Sequence, residues 1–136
     1  MKINYKPKYF QTYELVPEWV YNTYGESSLR FLDNRILKMA DLLREKFGKA
    51  TCNDWFWGGN YDSRGFRPPN DPDGAKLSAH KRGQALDLIF TASAEKIRQY
   101  IIDNPDEFEY ITLIEADVNW VHISCENVEK LTIIKV

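Results

Sequence analysis

Apolar positions recur at helical spacing early in the chain and at strand spacing late in it. Leu32, Ile36, Met39, Leu43 and Phe47 step by four, three, four and four, which sets them on one face of a helix over about 28–47. Gly48 stands where that helix should end. Pro17 and Gly25 bracket a shorter helix over about 17–24. Ser93 is placed to cap a helix over about 94–103, with Ile97, Tyr100 and Ile101 on one face and Asn104-Pro105 ending it. Short apolar runs at 86–90, 110–115, 120–124 and 131–136 read as strands. Residues 50–57 are β-like and aromatic until Gly58-Gly59-Asn60 breaks the run. The first 15 residues, carrying Tyr5, Tyr9, Phe10 and Tyr13, read as an extended arm packed onto the rest.

Helices mostly first and strands mostly last predict an α+β domain, with helices packed on a small antiparallel sheet. No internal repeat or linker interrupts the pattern, so residues 1–136 are expected to form one domain. A hydrophobic content of 43% with 14% aromatics supports a packed core and argues against disorder. The net charge of −2 offers no general attraction to nucleic acid or to an anionic membrane. No apolar run reaches the roughly 18 residues of a membrane span, and the start, Met1-Lys2-Ile3-Asn4-Tyr5-Lys6-Pro7, lacks the apolar stretch of a signal peptide. The expectation is a monomeric protein made in the cytoplasm, with no membrane insertion. Two cysteines, Cys52 and Cys125, are too few for a disulfide framework and read as partly buried thiols. Cys125, close after His122, is also a candidate soft metal ligand.

The chemistry concentrates in two stretches, Ser78-Ala79-His80-Lys81-Arg82-Gly83-Gln84-Ala85-Leu86-Asp87 and Asn119-Trp120-Val121-His122. They contain both histidines of the chain. His80, Asp87 and His122 supply two imidazoles and a carboxylate, the ligand set of a hydrolytic zinc site that keeps one position open for water. His80 lies in a polar loop and Asp87 opens a buried strand. Gly83 between them can bend the chain through a conformation other residues avoid. The segment 58–81, rich in Pro and Gly, is a long loop of the kind that is usually functional, and here it leads into His80.

Ser78, His80, Gly83, Ala85 and Asp87 fill every defined position of Ser-x-His-x-x-Gly-x-Ala-x-Asp, and an aromatic-Val-His segment follows. In these features the chain resembles the zinc D-Ala-D-Ala carboxypeptidase and L-Ala-D-Glu endopeptidase family, often encoded by bacteriophages and acting on bacterial cell-wall peptides. Gly65-Phe66-Arg67 is similar to that family's Gly-aromatic-Arg element, and the resemblance spans roughly residues 50 to 125. It implies the fold these peptidases share with hedgehog signalling domains. It also implies a zinc hydrolase that cuts peptidoglycan stem peptides, as a carboxypeptidase or an endolysin-type endopeptidase. Such a protein would reach the wall by a delivery route other than its own signal.

An amide hydrolase of this kind needs a donor for the oxyanion, a group that recognises substrate and a base for the water. Arg67 is the candidate for either of the first two roles, since its fork of donors suits an oxyanion or a peptide carboxylate. Arg64 stands between Ser63 and Gly65, where the family more often runs serine directly into glycine. Ser78 either contacts substrate or holds the His80 loop by turn chemistry. Lys81 and Arg82 read as solvent-facing. Many relatives carry Glu or Asp three residues before the second histidine as the base; here that position is Asn119, which cannot accept a proton. Glu115 and Asp117 are the candidates that remain. If 110–115 and 120–124 form a hairpin with Val118-Asn119 as its turn, Glu115 pairs with His122 and Asp117 lies near the turn facing solvent. A three-residue turn would shift that register.

Two other classes compete. Iron oxygenases also use two histidines and a carboxylate, but usually as His-x-Asp, whereas six residues separate His80 from Asp87. The helices also leave too little chain for a jelly roll. A non-catalytic zinc-containing peptide- or wall-binding domain, or a phage structural domain that has lost the base, is the alternative that Asn119 raises.

Overall fold

The computed structural model describes residues 5–72, 78–126 and 131–135. Helix α1 spans Glu18–Tyr24, α2 Asn34–Phe47 and α3 Ala94–Asp103; the strands are β1 Ala50–Thr51, β2 Ala85–Phe90, β3 Leu113–Ala116, β4 Val121–Ser124 and β5 Thr132–Lys135. The chain is a mixed α+β structure.

Pro17 caps α1 and Gly25 ends it, close to the expected bounds. The apolar stripe does not make one long helix over 28–47. Residues Gly25–Phe31 wind as a 3-10 helix, the chain opens at Leu32, and α2 starts afresh. The cause is Asp33: its carboxylate accepts the Arg35 N–H at 2.9 Å and the Arg35 guanidinium at 2.8 Å and 3.1 Å, a side-chain cap that begins a helix. The stripe still works across the break, because Leu32, Ile36, Met39 and Leu43 are all buried. Gly48 ends α2 and Ser93 caps α3, accepting the Lys96 N–H at 3.2 Å. Residues 1–4 of the arm lie outside the described residues; from Tyr5 on it packs over α2, with Phe10 buried and the Tyr5 hydroxyl donating to Asp41 at 2.5 Å, and Thr12–Glu14 winds as a 3-10 turn rather than extended chain.

The five strands run in the order β1-β2-β4-β3-β5. The sheet departs from the expected antiparallel one: β1-β2, β2-β4 and β4-β3 are antiparallel, but β5 lies parallel to β3, pairing Leu113 with Thr132 and Ala116 with Lys135. The last strand returns to the edge in the same direction as β3, so the sheet is mixed. The β-like stretch 50–57 contributes only β1; Trp55–Trp57 turns into a short 3-10 segment, with Phe56 stacked on Tyr13.

Strand alternation divides the sheet into two faces. Leu86, Leu88, Ile114, Val121 and Ile123 point into one buried cluster with Leu37, Leu43, Ile97 and Ile101, where α2 meets β2 and α3 meets β3 and β4. The opposite face carries Asp87, His122 and Glu115. Among the described residues no helix is long and apolar enough to cross a membrane.

Gly83 closes the short turn Ala79–Arg82 with φ +69°, in the left-handed region, and donates its N–H to the His80 carbonyl at 3.2 Å. A Cβ there would run into the Phe31 carbonyl oxygen. Gly83→Ala therefore combines left-handed strain with overpacking, and urea denaturation should show a loss of roughly 2–4 kcal/mol.

Candidate metal centre

Each ligand candidate is placed by a separate local device. Asp87 and His122 stand directly opposite each other in the β2–β4 ladder. Side chains in such a pair share a face and lie within contact distance. His122 Nδ1 is 2.7 Å from Asp87 Oδ1. His80 comes from the turn before β2. Ser78 caps that turn, its hydroxyl accepting the His80 N–H at 3.3 Å, and Gly83 bends the chain into the strand. His80 Nε2 then lies 3.3 Å from Asp87 Oδ2, and the two imidazole centroids are 5.3 Å apart. One ligand atom from each of His80, Asp87 and His122 can be chosen so that all lie within 4.8 Å of one another. Both histidines are buried.

The histidine tautomers fit ligation. His80 Nδ1 is 2.9 Å from the Gly65 carbonyl oxygen, which can only accept, so Nδ1 carries a proton and Nε2 is the nitrogen turned toward Asp87. His122 Nδ1 faces two carboxylates, Asp87 at 2.7 Å and Glu115 Oε1 at 3.7 Å. A nitrogen so placed needs a proton or a cation beside it. Burial alone would raise the Asp87 carboxyl, but hydrogen bonds from His122 and His80 outweigh it and hold the group well below the usual carboxylate range. An ionised carboxylate with two imidazole nitrogens is a donor set that suits a divalent metal.

The segment 63–67 ties the centre together through backbone groups, which the motif at Gly65–Arg67 did not disclose. The Gly65 carbonyl orients His80, the Arg64 carbonyl accepts the Asp87 N–H at 2.8 Å, and the Arg67 N–H donates to the His80 carbonyl at 3.0 Å. Gly65 packs on the Leu15 carbonyl too closely for a Cβ. Arg67 Nε donates to the Ser63 carbonyl at 2.7 Å, and a terminal nitrogen lies 3.9 Å from Asp87 Oδ2.

Glu115 and Asp117 part company in the hairpin. Leu113 pairs with Ser124 and Ile114 with Ile123. One further step in that register sets Glu115 beside His122. Asp117 sits on the turn with φ +63°, its exposed carboxylate 3.7 Å from Lys135 Nζ. Asparagine and aspartate are the non-glycine residues that tolerate this region best, which is how a turn without glycine closes here. Arg98 is a buried positioning residue that the sequence reading missed: reaching from α3, its guanidinium donates to the Trp120 carbonyl at 3.0 Å and steadies the start of β4.

A cavity of about 530 Å³ opens at the centre, lined among others by Arg67, Ser78, His80, Asp87, Glu115 and His122. Ser78 thus both caps the His80 turn and faces the cavity. Lys81 is tied to the Asp71 carbonyl at 2.7 Å, and Arg82 is exposed. Cys52 and Cys125 are free and buried. Burial pushes the Cys125 thiol up to about 11, so it keeps its proton at neutral pH, and it stands outside the His80–Asp87–His122 cluster. No family model, curated protein or solved structure matches the chain.

Proposed function

We propose that the protein is a zinc-dependent peptidase that hydrolyses peptide bonds in bacterial peptidoglycan stem peptides. The observation that carries this reading is the convergence of His80 Nε2, Asp87 and His122 Nδ1 at one end of an open cavity, with Glu115 and Arg67 beside them. The resemblance of the Ser78–Asp87 and Trp120–His122 stretches to cell-wall peptidases supplies the substrate class. Zinc held by these three residues would lower the pKa of a water to about 7 and polarise a substrate carbonyl.

The chain's own groups account for the remaining work. Glu115 is the base: its carboxylate takes a proton from the attacking water and passes it to the departing amine nitrogen. Arg67 faces the same cavity and offers donors to the oxygen of the tetrahedral intermediate, while its bond to the Ser63 carbonyl fixes its direction. The Gly65 carbonyl keeps His80 in the tautomer that presents Nε2.

Metal analysis and mass spectrometry of purified peptidoglycan fragments test the reading together. Zinc with new peptide fragments supports the peptidase, zinc without turnover supports a wall-binding domain, and no metal removes both. Arg67→Ala should keep its zinc and lose about 100- to 1,000-fold in hydrolysis rate. A variant within about threefold of the parent rate would leave Arg67 as a structural loop residue.

A further inference from the structure

A second cavity of about 390 Å³ borders the centre, lined by Tyr61, Arg64, Asp87, Ile89, Asn119 and Trp120. Asp87 and Trp120 line the first cavity as well, so the two spaces share a wall at the candidate ligand Asp87. Arg64 is the cation of this second space. Its guanidinium carbon lies over the Tyr61 ring, 3.4 Å from the centroid. Arg35, Arg67 and Arg98 each sit beside a carboxylate. Arg64 has no ion pair and no side-chain hydrogen bond with any described residue. Among the described residues Asp87 is the only carboxylate lining this cavity, and His80, His122 and Arg67 already surround it.

We infer that Arg64 is a specificity-determining residue that binds a free carboxylate of the peptide substrate next to the bond presented to the metal centre. The inference rests on the peptidase reading and extends it to the substrate's charge. Contact with the Tyr61 ring uses the face of the cation and none of its N–H donors, so the guanidinium keeps its fork for a two-point contact with a carboxylate. The Arg64 backbone is anchored at both ends: its N–H donates to Asn53 Oδ1 at 2.9 Å and its carbonyl accepts from the Asp87 N–H. The distance from subsite to metal ligand is therefore set through one peptide hydrogen bond. Asn119 contributes to the same wall an amide, which carries no negative charge to compete for the arginine.

The test is binding of two probes to the zinc-loaded protein, followed by NMR titration. One is an N-acetylated tripeptide ending in a free carboxylate, and the other is the same tripeptide ending in an amide. Parent protein should prefer the acid by about tenfold or more, as expected for a charged two-point contact. Arg64→Ala should bring the two probes within about twofold, and Arg64→Lys should retain part of the preference, since it keeps the charge and loses the fork. Both variants should keep full zinc occupancy, because neither backbone anchor involves the side chain. No preference in the parent protein overturns the inference. A preference that survives Arg64→Ala overturns it too and assigns the carboxylate to Arg67 or to the zinc itself. Binding needs no turnover, so a parent protein that prefers the acid but cuts nothing would sink the peptidase reading alone.

Discussion

His122→Ala is expected to abolish stoichiometric zinc binding. His122 is the cross-strand partner of Asp87, and its Nδ1 is the only nitrogen donor that β4 brings to the centre. Without it, His80 and Asp87 remain as two ligands, too few to close a site that hydrolytic zinc enzymes build from three. Disturbing residues that merely orient ligands costs about 10- to 100-fold in affinity, so removing a ligand should exceed that range. Elemental analysis after exhaustive dialysis reads the result, with circular dichroism reporting that the chain has kept its fold. One tightly held zinc per chain in the variant would show that the ligands lie elsewhere.

The second large effect concerns the base. Glu115→Gln should bind zinc normally and lose about 100- to 10,000-fold in peptide hydrolysis, the usual contribution of a positioned proton acceptor. Glutamine keeps the shape and cannot take the proton. Asp117→Asn should remain close to the parent rate, because Asp117 is exposed and its contact with Lys135 is a surface ion pair worth little. The two variants belong in one assay on peptidoglycan fragments. A silent Glu115→Gln together with an inactive Asp117→Asn would transfer the role to Asp117, despite its position on the turn.

The candidate site was more legible in the sequence than the framework around it. A chain with two histidines leaves little choice of imidazole ligands, and Gly83 between His80 and Asp87 already offered a residue able to close a tight turn. The hairpin argument set Glu115 against His122, and the observed pairing of Leu113 with Ser124 has that register. Other features could not be read because they depend on distant partners. The break before α2 follows from what the Asp33 side chain caps, and the stripe Leu32–Ile36 runs across it unchanged. The direction of β5 is decided by pairing with β3. The carbonyl of Gly65 has no side-chain signature at all, although it decides which nitrogen His80 presents.

The two-faced sheet has a consequence for how the chain tolerates mutation. In β2 the residue that fills the core and the residue that reaches the centre are immediate neighbours, Leu86 and Leu88 around Asp87; in β4 they are Val121 and Ile123 around His122. Substitutions at the first kind of position change how much folded protein a cell accumulates. Substitutions at the second kind leave the core filled and alter the candidate centre. Abundance and metal binding are thus expected to respond to alternate letters of the same few residues, and a screen that measures only one of them would overlook the other set.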